Sequence, residues 1–128
     1  MSTIQVVSTA NAPAPVSNFS QARIWNGMVF CSGDIGLDPK SGQLVEGTTT
    51  DRTIQAIRNL SSVLEAAGSS LKHVIKVNVY LTTMDNFAAM NQGYVQGFEQ
   101  PFPSRTCVNV VALPMGADVE VECIAALA

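Results

Sequence analysis

The apolar positions of the chain change between a period of two and a period near 3.6, the periods of strands and of helices. Residues 23–25 and 28–31 flank Asn26-Gly27, a dipeptide favoured in tight hairpins because both positions tolerate positive φ. Ile4-Gln5-Val6-Val7 predicts a short strand before this hairpin. A helix that begins at Asp51 and ends at Gly68 is predicted by an apolar stripe at Ile54, Ile57, Leu60, Leu64 and Ala67.

The second half of the chain repeats this change of period. Residues 74–81 predict a strand, and Asp85 is placed to cap a second helix. Two further strands, 106–112 and 119–127, are predicted on either side of the turn-rich residues 114–118. The predicted inner faces are Ile75, Val77, Val79 and Leu81 on the strand, and Phe87, Met90, Tyr94 and Phe98 on the helix.

This order of elements predicts an α+β fold, in which residues 1–128 form one domain with a mixed sheet of about six strands. Strands that are joined through a helix are expected to lie parallel. Two helices cover one face of such a sheet, yet residues 108–112 and 123–127 carry apolar side chains for both faces. We therefore expect another subunit to cover the second face.

Composition and charge exclude several classes of function. The chain is 47% hydrophobic, has a net charge of −3 and has no basic run, which disfavours nucleic acid and acidic membranes as partners. No apolar run approaches the ~20 residues that cross a bilayer, and neither a signal peptide nor an Arg-rich presequence is recognisable. Three cysteines in strand-like segments indicate reduced thiols, so a cytoplasmic location is expected, with a mitochondrial one left open.

A metal site is not expected, because His73 is the only histidine and no Cys-x-x-Cys spacing occurs. The clearest candidate chemistry is a lone arginine, Arg105, between long uncharged runs. Such a guanidinium requires an anion, which is either a carboxylate of the protein, Glu120 or Glu122, or a ligand. If the last two strands reverse at Gly116, Arg105 and Glu120 lie roughly 20 Å apart, so they could share a pocket only across a subunit boundary.

Five segments in this order resemble the RidA (YjgF-type) family of reactive imine deaminases, and the likeness covers essentially the whole chain. The segment from Arg105 to Glu120 is the most specific of them. The segments are Asn18-Phe19-Ser20-Gln21-Ala22, Phe30-Cys31-Ser32-Gly33-Asp34, Asn91-Gln92-Gly93-Tyr94, Pro103-Ser104-Arg105-Thr106-Cys107-Val108 and Val119-Glu120-Val121-Glu122.

The resemblance implies a chorismate-mutase-like fold, a homotrimer with ligand clefts between subunits, and no cofactor. It also implies hydrolysis of 2-imino acids, such as 2-iminopropanoate and 2-iminobutanoate, to 2-keto acids and ammonia. In that reaction Arg105 would hold the substrate carboxylate and Glu120 would activate a water. The other implied site residues are the Ser32 hydroxyl, the backbone N–H groups of Gly33 and Cys107, and Phe19, Asn91 and Lys76 in or beside the cleft.

The chain departs from the family pattern in three places. The family usually has Tyr at Phe19, so one hydroxyl is missing from the pocket. It usually has Gln at Asp34, where a negative charge would disfavour an anionic ligand if it faced the cleft. Residues 97–102 also form a shorter segment than is typical, which predicts a different cleft rim.

Each candidate also has a purely structural interpretation: Ser32 as a turn residue, Cys107 as a packed thiol and Lys76 as a solvated or interface charge. The rival function is a non-catalytic trimer that binds small carboxylates or partner proteins, which Phe19 and Asp34 favour. RNA cleavage, proposed for some members of the family, lacks a basic groove in this acidic chain.

Overall fold

The computed structural model describes residues 3–128. Its six strands form one sheet in the order β1-β2-β3-β6-β4-β5, and two helices pack on it. Short 3₁₀ turns at Leu71–His73, Met84–Asn86 and Pro114–Gly116 join some of these elements. The strands are β1 (Gln5–Val7), β2 (Ala22–Trp25), β3 (Met28–Cys31), β4 (Val74–Leu81), β5 (Ser104–Asn109) and β6 (Val119–Ala126), and the helices are α1 (Thr49–Ala66) and α2 (Phe87–Gly97).

The predicted hairpin is confirmed. β2 and β3 pair antiparallel around Asn26 and Gly27, which have φ angles of 54° and 78°. These positive φ values explain why an Asn-Gly dipeptide occupies the turn. β1 extends the sheet beside β2, and β3 pairs antiparallel with β6 at its other side.

Helix α1 begins two residues before its predicted start, because a capping box forms between Thr48 and Asp51. The Thr48 backbone N–H donates to the Asp51 carboxylate at 2.8 Å, which satisfies a donor at the helix end. The predicted end is confirmed, since Gly68 has φ 87° and the Ser69 N–H donates to the Leu64 carbonyl at 2.8 Å.

The two helical connections join parallel strands, as predicted. β4 and β5, joined through α2, form a parallel ladder, while β3 and β4, joined through α1, are both antiparallel to β6. The last two strands run antiparallel, as the assumed reversal requires, but they are not neighbours, because β4 lies between β5 and β6. β5 is consequently an edge strand, and it ends at Asn109 rather than at residue 112.

The start and the inner face of α2 differ from the prediction. Asp85 does not cap the helix through its side chain; instead the Thr83 hydroxyl accepts from the Asp85 N–H at 3.2 Å, in the 3₁₀ turn before α2. Phe87 was expected inside but is 37% exposed. The rest of the predicted inner face is buried, namely Met90, Tyr94 and Phe98.

A β-bulge near the start of β4 corrects the predicted facing of one residue. The register with β6 shifts between Val74 and Lys76, so Ile75 is left on the exposed side and Val74 turns inward. Ile75 is 48% exposed and Val74 only 8%. Strict alternation cannot reveal such an inserted residue.

The hydrophobic core lies between the helices and one face of the sheet. β6 alternates regularly there, with Val119, Val121 and Cys123 buried. The opposite face, here called the open face, carries exposed apolar side chains, among them Trp25 and Phe30. No helix in residues 3–128 is long and apolar enough to cross a membrane.

Candidate active site

Arg105 lies on the helix side of the sheet, near the start of β5. Its register partner on β4 is the fully buried Val77, and α2 supplies its neighbours. One guanidinium nitrogen donates to the Asn91 side-chain oxygen at 2.7 Å. The guanidinium carbon lies 4.6 Å from the centroid of the Tyr94 ring and 5.7 Å from that of Phe87. These neutral contacts hold the guanidinium without neutralising its charge.

No carboxylate of the described residues forms an ion pair with Arg105. The ion pair that residues 3–128 contain joins Arg52 and Asp118, at 2.7 Å. The purely structural interpretation of Arg105, a salt bridge to Glu120 or Glu122, therefore finds no support within residues 3–128 of one chain. A groove of about 320 Å³ adjoins the guanidinium and is lined by Asn91, Tyr94, Val95, Phe102, Pro103 and Arg105.

Glu120 lies on the open face of the sheet, away from Arg105. Its register partner is Tyr80, which alternates with the buried Val79 and Leu81 of β4. Arg105 and Glu120 are three residues apart along β4 and two strand spacings apart across the sheet, roughly 14 Å between their Cα atoms. The predicted separation of about 20 Å is wrong, but their positions on opposite faces still keep them out of one pocket within a chain.

The Glu120 carboxylate packs directly on the backbone of Gly33. A Cβ at position 33 would lie 2.7 Å from the Glu120 carboxyl carbon, so only glycine permits this approach. Next to it, Asp34 and Val121 exchange two backbone hydrogen bonds of 2.8 and 2.9 Å. The chain after β3 is thereby fastened along the start of β6, with Gly33 against Glu120.

The carboxylates of β6 have different surroundings. Glu122 accepts hydrogen bonds from Tyr80 and Asn78, and the hydrogen bond from Tyr80, together with burial and the charge of Glu122, raises the pKa of Tyr80 to about 12. Burial, with smaller effects of the negative charges of Glu122 and Asp34, raises the pKa of Glu120. A buried carboxyl group of raised pKa is typical of acid–base sites, in which it exchanges the proton.

A cavity of about 120 Å³ adjoins Glu120, and several predicted site residues line it. The Ser32 hydroxyl donates to the Ser20 carbonyl at 2.7 Å, which leaves its oxygen free to accept. Phe19 stands at the rim and is 45% exposed. The apolar part of the lining comes mainly from the segment before Phe19 and from α1: Ala12, Pro13, Ala14, Val16, Leu60 and Val63.

Asp34 does not present its carboxylate as a free charge, as the sequence had left open. One carboxylate oxygen accepts from the Gly36 N–H at 2.9 Å and from the Asn59 amide of α1 at 3.0 Å. Burial, opposed by these hydrogen bonds, raises the pKa of Asp34 to about 6.

Cys107 and Lys76 complete the predicted set. The Cys107 thiol is partly buried beside the core, and this burial raises its pKa, which makes it a poor nucleophile. Because the Val110 N–H donates to Leu81 on β4, alternation along β5 points the N–H of Cys107 outward from the sheet edge. Lys76 lies on the open face and donates to the Thr106 hydroxyl at 2.9 Å.

The structure thus divides the predicted site residues into two groups. Arg105, Asn91 and Cys107 form the arginine group at the β5 edge. The glutamate group, beside β6, consists of Glu120, Ser32, Gly33 and Phe19, and Lys76 belongs to neither.

Sequence reasoning missed the roles of Phe87 and Tyr94 under the guanidinium. Both had been assigned to packing alone. The available signal was Asn91, a polar residue at helical spacing between these two rings.

The comparison with protein families matches residues 9–127 to the family described as Endoribonuclease L-PSP, and the chain belongs to this family. Human 2-iminobutanoate/2-iminopropanoate deaminase is 40% identical over 121 residues, which are 94% of this chain and 88% of the human protein. A RutC family protein of Pyrococcus horikoshii is 44% identical over 121 residues, 94% of this chain and 96% of that protein.

Solved structures agree with this assignment. RidA from the Antarctic bacterium Psychrobacter sp. superimposes with a TM-score of 0.92 at 40% identity, covering 96% of this chain and 99% of that one. E. coli TdcF with bound serine gives a TM-score of 0.91 at 31% identity, covering 97% and 99%. The resemblance to RidA and the predicted architecture, a mixed six-stranded sheet with two helices, are confirmed.

Proposed function

We propose that the protein hydrolyses reactive 2-imino acids, such as 2-iminopropanoate and 2-iminobutanoate, to 2-keto acids and ammonia. The observation that carries this function is the guanidinium of Arg105, which neutral groups hold in place and no carboxylate of residues 3–128 pairs with. Its planar fork of donors fits a substrate carboxylate. The deaminase names of mammalian relatives and the serine bound to TdcF support a small substrate of amino-acid type.

The reaction follows from the two charged groups. Arg105 holds the carboxylate so that C2 of the imine faces a water beside Glu120. Glu120 removes a proton from this water as the water oxygen bonds to C2 of the protonated imine, which gives a tetrahedral carbinolamine. Glu120 then passes this proton to the amine nitrogen, and the C–N bond breaks as the hydroxyl oxygen forms the carbonyl. Ammonia leaves, the hydroxyl proton passes to Glu120, and the water supplies the keto oxygen without any cofactor.

The remaining residues orient the substrate. The outward N–H of Cys107 supports the carboxylate beside Arg105, and Asn91 fixes the guanidinium plane. The Ser32 oxygen and the Gly33 backbone face the imine nitrogen, and Phe19 walls the side chain. Lys76 is turned to the open face, so we assign it to the contact between copies.

The two halves of this site come from different copies of the chain, which we propose form a homotrimer. Arg105 and Glu120 lie on opposite faces of one sheet, while the open face exposes Trp25, Phe30 and Val108 by 47%, 40% and 42%. Apolar side chains exposed on a sheet face are typical of an interface. Light scattering after size exclusion should give three times 13.6 kDa; a monomer at micromolar concentration would contradict this assembly.

Mixed oligomers test whether the site is shared. Arg105→Ala and Glu120→Gln are each expected to be inactive alone, since each lacks one half of every site. Co-expressed in equal amounts, they should regain about a quarter of the parent activity, because random assembly unites an intact Arg105 with an intact Glu120 at that frequency. No recovery in mixed oligomers that are shown to have formed would place both residues in one chain's own site.

A coupled assay tests the reaction itself. A dehydratase acting on serine or threonine generates the imine in solution, and keto-acid formation is followed with and without this protein. We expect acceleration over buffer by the parent and none by Arg105→Ala. An exposed-arginine control, Arg58→Ala, should match the parent.

The second candidate function is a non-catalytic carboxylate-binding trimer. The observation that favours it is Phe19, which places a bare ring at the rim of the cavity where relatives of the family usually carry a hydroxyl. Titration calorimetry with pyruvate separates the two: binding without acceleration of hydrolysis supports the binding protein. RNA cleavage, which the family's description names, gains no support from the net charge of −3. Residence in the cytoplasm remains a prediction.

A further inference from the structure

A chain of contacts connects helix α1 with the Glu120 carboxylate through Asn59 and Asp34, which have no assigned role in the reaction, and through the backbone of Gly33. It starts at Asn59, which is only 1% exposed although its side chain is polar. The Asn59 amide donates to the Leu37 carbonyl at 2.8 Å and to the Asp34 carboxylate at 3.0 Å. Its oxygen accepts from the Gln55 amide at 2.9 Å, so every polar atom of this buried side chain is engaged.

Asp34 carries the connection from α1 to the sheet. Its side chain accepts from Asn59 and from the Gly36 N–H, while its backbone exchanges two hydrogen bonds with Val121, next to Glu120. Gly33 is thus fixed between Ser32 and an immobilised Asp34. Because a Cβ at Gly33 would overlap Glu120, the carboxylate rests on this short piece of backbone.

We propose that Asp34, held by Asn59, is a positioning residue of Glu120: it fixes the backbone on which the carboxylate rests and adds a second acidic group to its surroundings. This role rests on the proposed function.

The charged and titratable groups that face Glu120 come from three elements. Glu122 is on its own strand, Tyr80 is its register partner on β4, and Asp34 follows β3. The contact that α1 makes with Asp34 is the uncharged Asn59. Burial together with the charges of Glu122 and Asp34 raises the pKa of Glu120, in agreement with the geometry. An Arg105 supplied by a neighbouring copy would act equally on every variant compared below.

Two substitutions at position 34 separate charge from positioning. Asp34→Asn removes the charge and keeps an oxygen that can accept from Gly36 and Asn59. Asp34→Ser also removes the charge and can still close the Gly36 turn, but it is too short to reach Asn59. The matched control is Asp38→Asn, because Asp38 accepts from the Lys40 N–H at 2.9 Å in the same kind of turn, outside the cavity lining.

The charge is tested by ¹³C NMR titration of the Glu120 carboxyl carbon, whose signal is assigned by its loss in Glu120→Gln. We expect the titration midpoint to fall by several tenths of a pH unit or more in both Asp34 variants, because removing a nearby like charge favours the ionised form. Asp38→Asn should leave the midpoint in place. An unchanged midpoint in Asp34→Asn, or an equal fall in Asp38→Asn, overturns the charge effect.

Positioning is tested by comparing the two Asp34 variants with each other. Asp34→Ser should have a several-fold lower kcat than Asp34→Asn at unchanged KM, and the Val121 amide, which donates to Asp34, should exchange its hydrogen faster. Equal kcat and equal exchange in the two variants overturn positioning. Titration and exchange need no turnover, so they decide this role even if the parent shows no deaminase activity, which would overturn the proposed function alone.

Discussion

The arginine group and the glutamate group have opposite electrostatic surroundings. Arg105 lies among aromatic rings and an amide, with no carboxylate of residues 3–128 close enough to pair with it. Glu120 lies beside two further carboxylates, Glu122 and Asp34, and burial raises its pKa. One region therefore keeps an uncompensated positive charge and the other tends to keep a proton.

The two surroundings suit different tasks under the proposed function. A guanidinium held by neutral contacts retains its full attraction for an anion. A carboxyl group crowded by like charges holds a proton at higher pH than usual and releases it when a partner demands it. Under the proposed function, substrate binding and proton transfer are thus prepared separately, on opposite faces of the sheet, and the proposed assembly brings them together.

Removing the positive charge gives the largest expected effect. Arg105→Ala should lose both pyruvate affinity and turnover, because truncation of one partner of a desolvated charge pair costs roughly 2–5 kcal/mol. Arg105→Lys should recover part of the affinity but little turnover, since an ammonium lacks the planar fork that orients the carboxylate. Calorimetry with pyruvate and the coupled assay measure the two quantities. Normal turnover in Arg105→Ala would contradict the division into a binding and a reacting region.

Substitution of Glu120 should slow hydrolysis without weakening ligand binding. Glu120→Gln keeps the shape that rests on Gly33, so pyruvate should bind as it does to the parent. Hydrolysis should slow ~100-fold or more, because general acid–base help is lost. Glu65→Gln, an exposed carboxyl on α1, is the control. A Glu120→Gln variant that hydrolyses imines at the parent rate would show that the proton moves elsewhere.

The strands and helices that carry the two groups could be predicted from the sequence, but the order of the strands in the sheet could not. The hairpin, both helices and the parallel crossover followed from periodicity and from Asn26-Gly27. The placement of β4 between β5 and β6 did not, because the final turn is compatible with a simple reversal and nothing local reports which strand is inserted. The separation of Arg105 from Glu120 was consequently overestimated.

Side-chain environments were the least predictable part. Asp34 appeared in the sequence as a charge that would face the cleft or avoid it, and only tertiary contact with Asn59, 25 positions further along the chain, decides this. Phe87 was placed inside by helical spacing, yet it is partly exposed beside Arg105. Spacing reports which face of a helix a residue occupies, but not what the neighbouring strand brings to that face.

The raised pKa of Asp34, which lies beside the glutamate group, should make the stability of the protein depend on pH. Burial raises the pKa of Asp34 from 3.8 to about 6, so the folded state binds this proton more tightly than the unfolded state. The stabilisation that this bound proton gives the folded state is complete below the pKa of the unfolded state, and it is lost as pH rises through about 6. Asp34→Asn removes this titration and should therefore gain stability over the parent at about pH 7.5, but not at about pH 4.

The expected gain is on the order of 1–3 kcal/mol, and calorimetric Tm values at the two pH values measure it. Asp38→Asn, which removes a charge from a similar turn outside the cavity lining, is the control measured in parallel. A parent that is more stable than Asp34→Asn at about pH 7.5 would mean that the ionised Asp34 is stabilised by its hydrogen bonds more than it is disfavoured by burial.

The smallest expected effect concerns Phe19, which borders the glutamate region without contributing a charge. The ring stands at the cavity rim and is 45% exposed. Phe19→Tyr adds a hydroxyl to a nearly isosteric ring, so it can donate to the bound ligand or to the attacking water. A hydrogen bond to a charged partner contributes ~1.5–3 kcal/mol. Turnover efficiency could therefore rise about tenfold.

The exposure of the Phe19 ring also determines how Phe19→Tyr should affect the Tm. A buried, unpaired hydroxyl would cost ~1–3 kcal/mol, but a side chain with this exposure keeps its hydroxyl in contact with solvent, so we expect an unchanged Tm. Phe102→Tyr, which adds the same hydroxyl to an exposed ring in the groove beside Arg105, is the comparison variant. A gain in Phe19→Tyr alone would show that the glutamate region accepts a donor there. No gain, with a lower Tm, would mean that Phe19 packs against the neighbouring copy and that this contact does not accommodate a hydroxyl group.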